Sequence, residues 1–196
     1  SCIPQVTLRD PRLTGQGVLI AVLDSGIDYF LTEFRNADGT TRILTLWDQS
    51  AIPDVEHNRL PPEGYTEGVL YTRDEINEAL AAGSRQAGLA IVPQQDISGH
   101  GTAVAALAAG SQSGVAAQAQ LVVVKLGNPL AESFPRTTQL MRGISYVVNL
   151  GVELNMPVVV NLSFGNTYGD HRGESLLERF IDNASEIGRT AIIIGS

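Results

Sequence analysis

Two short stretches carry side chains that can do chemistry. Asp24 follows the apolar run Val18–Leu23 and precedes Ser25-Gly26. A carboxylate at the end of a buried strand is held by a rigid element, and a glycine just after it lets the chain turn away. Alone, such a residue reads equally as a phosphoacceptor, a metal ligand or a helix cap. The second stretch, Gly99-His100-Gly101-Thr102, leads into the small-residue run Ala103–Ala109. The amino-terminal pole of a helix favours anions, so a charged histidine gains nothing locally there. Its placement points to a use, with a surface histidine near a helix start as the plain alternative. Together the two side chains are the parts that activate a hydroxyl. The imidazole takes the proton, and the carboxylate holds the other ring nitrogen, fixing the tautomer and stabilising the imidazolium.

Positioning them requires a strand ending at residue 24 and a helix starting at residue 100. Val18–Leu23, Leu121–Leu126, Pro157–Leu162 and Thr190–Ile194 are short continuous apolar runs, as expected for strands buried on both faces of a parallel sheet. Between them lie helical patterns at His100–Ala109, Arg136–Leu150 and Glu174–Ile187, expected to stop at Gly110, Gly151 and Gly188. The alternation predicts an α/β fold with a mostly parallel sheet and helices on both faces. Residues 36–96 break the rhythm and hold four of the nine prolines. Within them Arg42–Asp48 reads as a short strand, and Thr72-Arg73-Asp74-Glu75 as a capping box opening a helix through Ala82. The region is expected to be an ordered insertion in a single domain.

Composition narrows the function classes. The chain has 196 residues, 43% of them hydrophobic and 17% charged, which suits one globular core. A net charge of −8 argues against nucleic acid or an anionic membrane as partner. No apolar run approaches the roughly 20 residues that span a bilayer, and the first residues lack the pattern of a signal peptide. The single cysteine, Cys2, has no base beside it in sequence, and His57, His100 and His171 lack zinc-ligand spacing. Gly15-Gln16-Gly17 precedes its strand, whereas a phosphate-binding turn follows one.

The residues also carry a resemblance. Val22-Leu23-Asp24-Ser25-Gly26-Ile27-Asp28 resembles the aspartate motif of the subtilisin-like serine proteases, and Gly99-His100-Gly101-Thr102-Ala103-Val104-Ala105 their histidine motif. Gly114-Val115-Ala116 with Ala119 and Val124-Lys125 resembles the strand that follows, and Val160–Gly165 the substrate-binding segment, all in the family's order. Arg42–Gln49 and Glu75-Ile76-Asn77 look like clostridial members related to spore-germination proteases. The resemblance implies an endopeptidase in which Asp24 orients and His100 acts as general base, then general acid. It gives Ser163, Phe164 and Gly165 the task of holding an extended peptide or protein substrate. A secreted or spore-associated setting is implied in the same way. Many relatives bind calcium, and Glu33, nine positions past Asp24, could serve with Gln5; a solvated surface acid is the preferred reading, and no metal or cofactor is expected.

The family's oxyanion asparagine and nucleophilic serine have no counterpart here. Asn161 and Asn166 do not fall in the matching place, and Gly110-Ser111-Gln112-Ser113-Gly114 reads as a loop after the histidine helix. Thr190–Ser196 resembles the strand leading to that asparagine. The expectation is an amino-terminal part of one peptidase domain, inactive alone, incomplete at its carboxy-terminal end and partnered by the remainder. A raw strand edge would also favour self-association. The competing expectation is a non-catalytic protein-binding module on a protease scaffold.

Overall fold

The structure, a computed structural model, describes residue 10 and residues 13–127, 137–163 and 173–195. Six strands form one sheet: β1 (Leu19–Asp24), β2 (Ile43–Asp48), β3 (Val69–Thr72), β4 (Gln120–Lys125), β5 (Val158–Leu162) and β6 (Thr190–Ile194), in the order β3-β2-β4-β1-β5-β6. All neighbours are parallel except β2 and β3. The helices are α1 (Arg73–Ala81), α2 (Arg85–Ile91), α3 (His100–Ala109), α4 (Thr137–Glu153) and α5 (Leu176–Ser185), with a 3-10 turn at Thr32–Phe34.

Side chains of β1 alternate between two cores, as the period of a strand requires. Ile20 and Val22 join Leu121 and Val123 of β4 beneath Ala105 and Ala109 of α3 and Ile76 and Ala79 of α1. Leu19, Ala21 and Leu23 face the other way, against Ile144 and Val147 of α4 and Ala184 of α5. All six residues of β1 are buried, so its continuous apolar run is explained by a helix layer on each face. Counting on from Val22, Asp24 falls on the α3 face.

The four runs read as strands and the three read as helices form those elements. One stop differs. Helix α4 continues through Gly151, where a Cβ would strike the Val158 side chain of β5. That glycine serves close helix–sheet packing, and the chain turns two residues after the helix, at Asn155 with φ 51°. Residues 36–96 contribute β2, β3, α1 and α2. Ile43, Leu46, Trp47, Tyr71 and Ile76 from this stretch are fully or almost fully buried. Thr72 and Glu75 form the expected capping box of α1. Strand β6 lies at the edge of the sheet, with Ile193 55% and Ile194 50% exposed.

Candidate active site

Asp24 and His100, 76 residues apart, meet at the carboxyl end of β1. Asp24 is 3% exposed, and its Oδ1 accepts from His100 Nδ1 at 2.8 Å, from the Ser25 amide at 2.7 Å and from the Ser25 hydroxyl at 3.1 Å. The His100 side chain is 53% exposed. With Nδ1 donating to a carboxylate, the lone pair of the neutral ring sits on Nε2.

The sequence builds this contact from small residues. Gly101, Ala105 and Ala109 form the buried stripe of α3, at four-residue spacing. A Cβ on Gly101 would run into the Gly26 carbonyl oxygen and lie 3.1 Å from Asp24 Cβ. Gly26 itself has φ 122°, a conformation that other residues rarely adopt. Helix and strand end therefore touch backbone to backbone. Gly101→Ala is expected to push α3 off the turn, lowering stability by about 1–3 kcal/mol, the usual cost of overpacking. Thermal unfolding of the variant beside the parent checks this, and an unchanged midpoint would contradict it.

Helix α3 begins at Gly99, which has φ 73° and no side chain to cap the first amides. Other residues do so. Ser98 Oγ accepts from the His100 amide at 3.1 Å, Ser25 Oγ from the Gly101 amide at 3.0 Å and Asp96 Oδ2 from the Thr102 amide at 2.8 Å. Asp96 also accepts from the Gly99 amide and the Thr102 hydroxyl, and the Ser25 and Ser98 hydroxyls lie 2.8 and 3.2 Å from its Oδ1. The Thr102 hydroxyl in turn accepts from the Asp28 amide at 2.9 Å, tying the turn after β1 to the helix. Sequence reasoning passed over Asp96, Ser25 and Ser98. The signal was present: an aspartate three residues before a glycine that opens a helix is at cap distance from the first free amides.

Ser163 follows β5. Val22 pairs with Asn161, so Ser163 lies two residues past that register point on β5, as Asp24 does on β1. Its Oγ accepts from Asn161 Nδ2 at 2.6 Å. Phe164 and Gly165 lie outside the described residues, as does Gln5. Glu33 Oε2 accepts from the Gln112 amide at 3.1 Å, in the loop beyond α3. A small hollow lies between α4 and the starts of β5 and β6, and an open groove is lined by Arg35, Arg42 and Gln112; neither is lined by Asp24 or His100.

Residues 15–194 match the subtilase family of S8 peptidases. None of the curated proteins matches the chain. Among solved structures, the CspB protease of Clostridium perfringens is similar over 99% of this chain, with 36% identity and a TM-score of 0.82. A psychrophilic protease, S41, superposes over 92% of it at 23% identity and TM-score 0.59, and sphericase over 92% at 18% and 0.58, likenesses of fold. The chain spans 39% of the CspB protease chain and 46% of each of the other two. The sheet, the helix layers and the motif order agree with the family match over nearly the whole length, and the chain belongs to the subtilase family of serine peptidases.

Proposed function

We propose that this chain supplies the aspartate and the histidine of a serine endopeptidase site, Asp24 as orienting carboxylate and His100 as general base and then general acid. The observation that carries the reading is the 2.8 Å bond from His100 Nδ1 to a buried Asp24 carboxylate. Asp24 holds the Nδ1–H tautomer, so Nε2 can take the proton of a serine hydroxyl as that oxygen attacks the scissile carbonyl. The imidazolium so formed is stabilised by Asp24 and returns its proton to the leaving amine. Ser163, Phe164 and Gly165 offer main-chain groups to an extended peptide or protein substrate, as an added strand would.

The nucleophilic serine and an oxyanion asparagine belong, in this proposal, to a further part of the same domain that packs beside β6. The share of the CspB protease chain spanned, 39%, leaves room for such a part, and the exposed Ile193 and Ile194 give it an apolar edge to cover. Residues 1–196 are then the amino-terminal part of one peptidase domain, with 36–96 as an elaboration of it, and hydrolyse nothing alone. Neither a metal nor a cofactor enters this chemistry.

A fluorophosphonate that reacts with activated serines tests the proposal on the natural protein. Labelling is expected on a serine outside residues 1–196, and it should disappear in His100→Ala. Intact, folded natural protein that takes no label would overturn the reading and leave a protein-binding module on this scaffold.

A further inference from the structure

We propose that Asp96 is a positioning residue for the Asp24–His100 pair, joined to it through the Ser25 hydroxyl and seated on the amino-terminal pole of α3. The inference rests on the peptidase reading above and adds to it a group from outside the pair.

Three observations support it. First, the Ser25 hydroxyl has one proton and two carboxylate neighbours, Asp96 Oδ1 at 2.8 Å and Asp24 Oδ1 at 3.1 Å. The same oxygen accepts from the Gly101 amide at 3.0 Å and the Ser98 hydroxyl at 2.8 Å. One atom thus links Asp96, the turn that holds Asp24 and the turn that holds His100. Second, His100 occupies the first turn of α3, where the helix pole opposes the imidazolium that catalysis must form. Asp96 takes the Gly99 and Thr102 amides of that pole at 3.0 and 2.8 Å, placing a negative charge where it offsets the opposition. Third, burial pushes the Asp96 carboxyl up, but hydrogen bonds from the Thr102 hydroxyl and amide, the Ser25 hydroxyl and the Gly99 amide outweigh it and hold the group below the usual carboxylate range. Asp96 is therefore charged wherever a histidine base works.

Two further carboxylates near the carboxyl ends of β1 and β2 are paired with cations. Lys125 of β4 lies 3.5 Å from Asp48 of β2 and donates to the Gln95 carbonyl at 3.0 Å. Asp28, in the turn after β1, lies 3.1 Å from Arg85 of α2. Asp24 bonds the His100 ring itself, and Asp96 the amides that flank it in the chain.

The test follows the His100 ring by NMR through a pH titration, in the natural full-length protein and in Asp96→Asn, alongside the pH profile of kcat/KM. The His100 midpoint is expected to fall by about half to one pH unit, as when one nearby charge is removed from a partly solvated site. The acid limb of kcat/KM should move down with it, and kcat should drop about 3- to 10-fold at unchanged KM. A lower unfolding temperature with an unmoved midpoint would show that Asp96 is only a helix cap and overturn the proposal. Ser25→Ala keeps the Asp96 charge and breaks the link, so it decides the matter if Asp96→Asn does not fold. Its kcat should fall about 3- to 10-fold with the His100 midpoint in place, and an unchanged kcat would refute the link. Wild-type protein that hydrolyses nothing would refute the peptidase reading alone, because the ring titration still reports the Asp96 charge.

Discussion

Replacing His100 by alanine in the complete protease is expected to lower kcat by roughly 10⁴- to 10⁶-fold, with KM changed by no more than about threefold. The reason is that the pair acts as a unit: a serine hydroxyl is a poor nucleophile until its proton has somewhere to go. The double variant Asp24→Asn/His100→Ala should then be no slower than His100→Ala alone, since the carboxylate works only through the ring. The geometry adds a point about Asp24→Asn by itself. All three donors lie at Oδ1, whereas Oδ2 is buried with no hydrogen-bond partner among the described residues. An asparagine can keep its oxygen in the first place and turn its amide into the second. The histidine tautomer is then retained and the charge is lost, so the expected fall in kcat is about 10²- to 10⁴-fold, nearer the lower figure than a tautomer error would give. Steady-state kinetics on the three variants separate these outcomes. Near-parental kcat in His100→Ala would remove the histidine from the mechanism.

The second large effect is on stability and concerns Arg42. Its side chain lies in the interior and donates to four oxygens. Nη1 reaches the Ala119 carbonyl at 2.8 Å and Nη2 the Glu33 carbonyl at 2.8 Å and the Ala109 carbonyl, while Nε reaches Ser111 Oγ at 3.2 Å. Ala109 ends α3, so its carbonyl is one that no helical amide can satisfy, at the pole that favours a cation. Arg42 thus ties the far end of the histidine helix to the 3-10 turn and to the start of β4. Arg42→Ala takes the guanidinium donors from the Ala109 and Ala119 carbonyls, each loss costing about 1–3 kcal/mol, whereas the Glu33 carbonyl keeps the Ser111 amide and hydroxyl. Relief of guanidinium desolvation offsets part of this, and the expected net loss is about 2–4 kcal/mol. That is a large share of the roughly 5–15 kcal/mol that holds a domain folded. Arg42→Lys should recover little, because one ammonium cannot reach oxygens on three sides as the planar fork does. Denaturant unfolding checks the prediction as a lower midpoint at unchanged slope. A midpoint within experimental error of the parent would refute it.

The parts legible in the sequence were those governed by local rules. The run Val18–Leu23 has no polar interruption because both of its faces are covered, and so it announced a central strand. The Thr72–Glu75 box marked the start of α1 to the residue. The pairing of Asp24 with His100 was legible because residue type, order and neighbouring glycines all agreed with one chemistry. What escaped depended on contacts between distant segments. Gly151 looks like a helix stop, and only the Val158 side chain pressed against it explains why the helix continues. Strand β3 is four residues long, with its Leu70 only partly buried, too short a stretch for alternation to register. Arg42 stood in the sequence as the first residue of a strand. Its role comes from carbonyls up to 77 residues away, which no local pattern encodes. Asp96 is the intermediate case: its capping distance is local, but its link to Asp24 runs through Ser25, 71 residues away.

The strand order also sets a timetable for biosynthesis. Strand β1, the first made, lies between β4 and β5, and its exposed backbone groups find no partners until residues 120–162 exist. At the usual 5–20 residues per second, roughly 7–30 s separate translation of Asp24 from that of Leu162. Throughout that interval the run Leu19–Leu23 has no sheet to enter, and Asp24 has no interior in which to meet His100. Until those residues have been made, the nascent chain cannot carry an assembled Asp–His pair. Its demand for chaperone protection is concentrated in the first strand, the one whose burial is most complete once folding is done.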